Sequence, residues 1–292
     1  MNVTPVVLVT GATGATGRAT VSELSARGAN VHALVHKADA RSERLARLGA
    51  KIVEADLLDF SSVRAALEGV GRAYFVFPIV PGIIQATACF AQAASEVGLE
   101  AVVNMSQISA RREAKSNAAR DHWIAERVFD RSGIAVTHLR PTFFAEWLLY
   151  FARLIVRDGS LKLPFSGRHA PISAEDQARV ISAILMDPGP HRNQTYSLYG
   201  GEELSYAEMT EVMSQVLKRQ IRYEQVDFDI FERVLTAMGR GPFLVQHLRE
   251  VAVDHRNGIF AGKNDIVEKL TGRKPQSLRE FLLKNKEAFA SA

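Results

Sequence analysis

Val7-Leu8-Val9-Thr10-Gly11-Ala12-Thr13-Gly14-Ala15-Thr16-Gly17-Arg18-Ala19-Thr20-Val21 is the stretch whose reading decides the fold. Its apolar start reads as a buried strand, and the residues from Thr16 to Arg27 read as a helix. Between them Gly11, Gly14 and Gly17 allow a sharp turn, close approach of the backbone to a diphosphate, and close packing of helix on strand. The helix start then offers free amide donors and about half a positive charge to an anion. A glycine triplet alone reads equally well as a structural turn. The strand before it, the helix after it and the repeats that follow point to a dinucleotide.

Working outward, short apolar runs alternate with segments of helical period, the pattern of buried parallel strands joined by crossover helices. Strands are predicted at Val6 to Thr10, Asn30 to His36, Lys51 to Ala55, Ala73 to Phe77, Ala101 to Ser106 and Ala135 to Arg140. Helices are predicted at Thr16 to Arg27, Ala38 to Leu48, Ser61 to Leu67, Ile84 to Val97 and Asn117 to Ser132. Gly28, Gly49, Gly98 and Gly133 follow the last turns, where a left-handed residue is often needed. The fold class is therefore α/β, a doubly wound parallel sheet of Rossmann type built from six βα repeats.

After Arg140-Pro141 the rhythm breaks. Two capping boxes, Ser205 with Glu208 and Ser277 with Glu280, announce later helices, whereas Asp227 to His255 shows only short apolar runs. We read residues 1–150 as the dinucleotide-binding domain. Residues 151–292 form a smaller, helix-rich substrate or lid region that returns some elements to the sheet.

The chain of 292 residues, 47% hydrophobic, can bury a full core. Its formal charge of +4 is a mild excess without a clustered basic patch, so no nucleic-acid partner is expected. Cys89 is the sole cysteine, which excludes an intrachain disulfide and a multi-cysteine metal site; no metal is expected. The run Val6 to Val9 is too short for an export signal or a membrane span, so we expect the cytoplasm and no membrane association.

The cofactor's ribose belongs near the end of the second strand, where an NAD site usually carries an acid. This chain offers His36, Lys37 and Arg41, and cations there welcome a 2′-phosphate. NADPH is favoured over NADH; the bland alternative is exposed surface charge, and Asp39 dissents.

Further residues carry a resemblance. They are Thr10 to Gly17, Ala33-Leu34-Val35-His36, Glu54-Ala55-Asp56-Leu57, Phe75-Val76-Phe77-Pro78, Val103-Asn104-Met105-Ser106, His122-Trp123-Ile124-Ala125-Glu126 and Leu139-Arg140-Pro141-Thr142-Phe143-Phe144. With them the chain resembles the NmrA-like atypical short-chain dehydrogenases. That family includes quinone reductases, triphenylmethane and azo-dye reductases, and a redox-sensing transcriptional regulator. The resemblance implies that Asp56 and Leu57 contact the adenine and that Phe77 and Pro78 flank the cofactor's middle. It implies that Ser106, His122, Pro141, Thr142, Phe143 and Phe144 surround the nicotinamide. The family often has arginine where His36 stands, so 2′-phosphate recognition here rests more on Lys37 and Arg41.

Ordinary short-chain dehydrogenases use a Tyr-x-x-x-Lys pair, the lysine lowering the tyrosine pKa. Between Ser106 and Ser132 no such pair exists, and His122 takes a position where relatives have Lys or His. A planar acceptor that draws its proton from water needs no tyrosine. His122 and Glu126 share a helical face, reading either as a carboxylate-oriented histidine or as a local pair. Ser106 is a catalytic or a simple hydrogen-bonding serine. Phe143, Phe144 and Trp147 form either an apolar substrate wall, with Phe144 and Trp147 on the acceptor, or plain core. The reading is an NADPH-dependent reductase of a small planar electrophile. Its rivals are an NADP(H)-sensing regulator with a protein partner and, weakened by the missing tyrosine, an epimerase; a homodimer is compatible with each.

Overall fold

The computed structural model describes residues 5–290. Strands and helices alternate through β1 (Val6–Val9), α1 (Ala15–Ala26), β2 (Asn30–Val35), α2 (Ala40–Ala46), β3 (Lys51–Glu54), α3 (Phe60–Ala66), β4 (Arg72–Phe75), α4 (Ile83–Glu96), β5 (Ala101–Met105), α5 (Asn117–Asp130) and β6 (Ala135–Pro141). There follow α6 (Trp147–Tyr150), α7 (Ala152–Asp158), β7 (Ser160–Leu163), β8 (Arg168–His169), α8 (Ala174–Met186), β9 (Thr195–Leu198), β10 (Leu204–Ser205), α9 (Tyr206–Leu217) and β11 (Arg222–Gln225). The chain ends through α10 (Phe228–Ala237), α11 (Pro242–Arg256), α12 (Ile266–Thr271) and α13 (Leu278–Lys284).

One parallel sheet takes the order β3-β2-β1-β4-β5-β6-β9. Alternation along its strands sorts the core. Val7, Val9, Val31, Ala33, Tyr74, Val103 and Leu139 face the side of α1 and α8, while Leu8, Leu34, Ala73, Phe75, Val102 and Val136 face that of α3, α4 and α5. Strand order reverses between β1 and β4, so a crevice opens beyond their carboxyl ends, the place where such sheets bind ligands.

Beyond the six strands predicted individually, the region after residue 150 gives one to the sheet: β9 pairs in parallel with β6 after a long excursion and makes seven. Thr195-Tyr196-Ser197-Leu198 is a half-exposed edge without a continuous apolar run, and it gives no strand signal of the buried kind. The tract from Asp227 to His255 is two helices. Phe231 and Leu235 recur at helical spacing in α10, and Val245, Leu248 and Ala252 do so in α11. Gly239, at φ +72°, ends the first, and Pro242 opens the second.

The region after β6 gathers its own core from α6, α7, α9, α10, α11 and α13, around Phe151, Phe165, Tyr206, Phe231, Leu248 and Phe281. His255 stacks flat on Phe260 with centroids 4.2 Å apart, and His169 meets it edge-on at 5.2 Å. Both capping boxes form as expected, Ser205 with Glu208 and Ser277 with Glu280. No helix among the described residues is long and apolar enough to cross a membrane.

Burial disfavours the charged imidazolium at four positions. His122 is pushed down to about 4, His169 and His247 to about 3, and His255 well below its ordinary value. These folded-state values lie below the ordinary 6.5, so the unfolded chain binds more protons than the folded one between them. Stability is full above the unfolded value and is lost as pH falls below it, by up to about 1.4 kcal/mol per histidine per pH unit. Urea unfolding followed from pH 7.5 to 5.0 should show a steep fall in midpoint below pH ~6.5. A profile flat down to pH ~5.5 would contradict the buried, neutral state of these rings.

Candidate functional site

The turn after β1 is built by steric exclusion. Gly11 has φ +56°, and a Cβ there would also lie 2.7 Å from Val76 Cγ1. A Cβ on Gly17 would lie 2.2 Å from the carbonyl oxygen of Gly11, so the helix backbone rests directly on the turn. Thr10 ties the turn to the neighbouring strand end. Its buried hydroxyl donates to Val76 O at 3.0 Å and accepts from Val76 N at 2.8 Å.

Gly14 is the extended N-cap of α1 and supplies no side-chain cap. The amides of Ala15, Thr16 and Gly17 have no protein acceptor among the described residues, the first intrahelical bond running from Arg18 N to Gly14 O at 2.9 Å. A helix start with orphan donors and no acidic residue in its first turn is an anion site. Ala12 and Thr13 complete the turn, Ala12 fully buried beneath it. These features fit the diphosphate of a dinucleotide.

At the end of β2, His36, Lys37 and Arg41 are exposed. Asp39 is the N-cap of α2, accepting from the amides of Arg41 at 2.8 Å and Ser42 at 3.3 Å, and Arg41 pairs with it at 2.7 Å. The hydrogen bonds from Arg41 hold the Asp39 carboxyl below its usual range. Asp39 is therefore occupied as a cap, while the side chains of His36 and Lys37 pair with no carboxylate among the described residues.

Asp56 and Leu57 follow β3, the Asp56 carboxylate accepting from Leu58 N at 2.9 Å. Phe77 and Pro78 follow β4, and Phe77 packs beside Ile83, Ala118 and Ala125. Ser106, just past β5, continues the parity of Val102 and so lies on the α5 side of the sheet, where α5 buries His122. Both are deeply buried, and Ser106 Oγ has no hydrogen-bond partner. An orphaned hydroxyl at the crevice fits a polar group of the bound cofactor.

Glu126 does not orient His122. It is wholly buried and grips Arg140 of β6 through two hydrogen bonds of 2.8 and 2.5 Å. Neither sequence reading of the His122 and Glu126 pair describes this, because the guanidinium partner stands fourteen residues away on another element. Burial pushes His122 down to about 4 and keeps its ring neutral.

Pro141 closes β6, and Thr142, buried, donates its amide to Leu198 O at 2.9 Å. Phe143 sits edge-on to Phe165 and His255, at 5.4 and 5.5 Å, and packs on Trp147 at 5.3 Å. Phe144 instead packs against the cluster beside α1 and α8. Phe143, Phe144 and Trp147 together line a small apolar pocket, bounded also by His169 and Tyr206.

Sequence reasoning missed the polar ties that α11 makes to this region. Arg111 pairs with the buried Asp254 through bonds of 2.9 and 2.6 Å, and Gln246 and His247 reach the start of α5. Residues more than 120 apart carry no common spacing signal.

A family model described as the NmrA-like family matches residues 4–282. The NAD(P)H azoreductase of Xenophilus azovorans is 31% identical over 289 residues, covering 98% of this chain and 100% of that protein. The NADPH-dependent quinone oxidoreductase of Escherichia coli, solved with NADPH, superposes with a TM-score of 0.84 at 22% identity, over 96% of this chain and 99% of that one. NmrA, a negative transcriptional regulator solved with NADP, superposes at 0.79 with 17% identity, over 98% and 97% of the two chains. The two structures share the fold. Matched by the family model over nearly its whole length, this chain belongs to the NmrA-like family.

Proposed function

We propose that this protein is an NADPH-dependent reductase of small planar electrophiles of the quinone or azo-dye kind, working in the cytoplasm. The observation that carries the reading is the uncapped start of α1 at the reversal of strand order, with the amides of Ala15, Thr16 and Gly17 free for a diphosphate. The full-length likeness to the azoreductase of Xenophilus azovorans supports the reaction class.

When bound, the reduced nicotinamide supplies a hydride. The residues of this chain bind and orient. Gly11, Ala12, Thr13, Gly14, Ala15, Thr16 and Gly17 hold the diphosphate, and Lys37 and His36, assisted by Arg41, meet the 2′-phosphate. Asp56 and Leu57 lie at the adenine, and Phe77 and Pro78 at the cofactor's middle. Ser106 and a neutral His122 donate hydrogen bonds at the nicotinamide end, with Pro141, Thr142, Phe143 and Phe144 behind it. Phe144 and Trp147 border the acceptor. No side chain here is a charged acid at neutral pH, since burial keeps His122 unprotonated. The acceptor's proton therefore comes from water, which suits electrophiles whose reduced anion is itself stable.

Removing one charge-assisted contact costs about 1.5–3 kcal/mol, so Lys37→Ala should weaken NADPH ~10- to 150-fold and leave NADH nearly unchanged by calorimetric titration. Equal wild-type affinities for the two cofactors would remove the 2′-phosphate assignment. Gly14→Val should abolish binding with the circular dichroism spectrum preserved, because the branched side chain fills space meant for the diphosphate. A folded variant that binds normally would overturn the role of the turn.

Turnover is read by loss of NADPH absorbance against quinones, azo dyes and enones. Wild type should oxidise NADPH with at least one of them, and His122→Ala should retain activity within about 100-fold, the lower range of a general acid's contribution. If NADPH binds but no acceptor is reduced, and a protein partner is captured only with cofactor present, the sensor reading replaces this one.

A further inference from the structure

Besides α8 and β9, the helix α11 ties the C-terminal region to the cofactor half, and one face of that helix makes the tie. Phe243 packs into the cluster of Ile83, Ala118 and Ala125, together with Phe77 and Ile79. One turn later His247 Nδ1 lies 2.8 Å from Ser116 Oγ, both side chains buried. Beside it, Gln246 Oε1 accepts from Asn117 N at 3.0 Å and its Nε2 donates to Lys115 O at 3.0 Å. Two turns beyond His247, Asp254 takes the forked pair of bonds from Arg111. Positions 243, 247 and 254 fall on one side of a helix of 3.6 residues per turn. His247 and Asp254 hold the loop after β5 at its end and at its middle.

Three consecutive residues, Lys115, Ser116 and Asn117, are thus bound by two consecutive residues of α11. Ser116 is the N-cap of α5, accepting from Ala119 N at 3.1 Å. With that lone pair used, the serine proton is free to be donated to an unprotonated His247 Nδ1. Burial pushes His247 down to about 3, with His122 nearby adding to the effect, so both rings are neutral at working pH. His122 is on the same buried face of α5 as Ala118 and Ala125, one turn from the first.

We infer that His247, acting through Ser116, is a positioning residue for the acceptor side of the site: it fixes the start of α5, and with it His122, against the C-terminal region. This rests on the reductase reading above. The glycine turn, which holds the cofactor, belongs to a different part of the sheet and makes no hydrogen bond to α11 among the described residues. Loss of His247 therefore leaves the hold on the diphosphate intact and is felt at the nicotinamide and acceptor end, where His122 sits.

The test compares His247→Ala, His247→Asn and His247→Gln, using NADPH and a simple naphthoquinone. Loss of one buried hydrogen bond should raise the quinone KM about 10-fold in the Ala variant and weaken NADPH by no more than about 3-fold, because the glycine turn and Lys37 carry most of that affinity. An asparagine amide occupies the place of Nδ1 and should restore the KM to within about 3-fold of wild type, while glutamine, which reaches the place of Nε2, should not. Hydrogen exchange of the segment 107–122, measured without acceptor, should quicken in the Ala and Gln variants and not in Asn. If wild type reduces no acceptor, the reductase reading fails and the exchange pattern alone decides the positioning. An unchanged exchange in His247→Ala, or an equal loss of NADPH and quinone binding in all three variants, would overturn it.

Discussion

At Gly17 the first helix lies so close to the turn it springs from that any side chain would collide with the backbone of Gly11 and Ala12. This contact sets the angle at which α1 leaves the sheet, and hence the direction in which its unpaired amides point. Thr10 fixes the other side of the same turn by exchanging two hydrogen bonds with Val76. The crevice between β1 and β4 is thereby defined twice over, once by what is missing at Gly17 and once by what is bonded at Thr10. The later elements are added around that fixed mouth.

The α5 side of the sheet is held by charge. Glu126 has no exposure to solvent and its carboxylate is spent on Arg140, so α5 is clamped to β6. A buried pair of this kind costs desolvation that only good geometry offsets, and losing one partner leaves an uncompensated charge. The pair leaves His122 without a carboxylate, and burial then determines its protonation. Ser106 and His122 are consequently neutral polar groups within buried surroundings, a setting in which a hydrogen bond is strengthened.

The first six strands and their helices were legible in the sequence because apolar runs and glycine-ended helices alternate regularly, a rhythm that carried even the exposed edge strand Lys51-Ile52-Val53-Glu54. The seventh was not, since β9 is a half-exposed edge of four residues whose place depends on pairing with β6. The glycine turn was legible from local chemistry alone. The partner of Glu126 was not, and neither were the ties of Arg111 and Ser116 to α11, because these are tertiary contacts between residues with no common period. Asp39 shows the reverse case: its capping position two residues before Arg41 is local, yet its acidity drew attention to the ribose instead.

That capping carboxylate has a consequence for anyone re-engineering cofactor choice. Asp39 closes a reciprocal box with Ser42 at the start of α2, a type of contact worth about 1 kcal/mol. Exchanging it to change the charge of this loop therefore also removes the anchor of α2. His36 and Lys37 carry no such structural duty, being exposed and outside any helix or strand. The helix anchor and the two exposed residues thus occupy different positions of the same short loop, so exchange at His36 or Lys37 leaves the start of α2 unchanged.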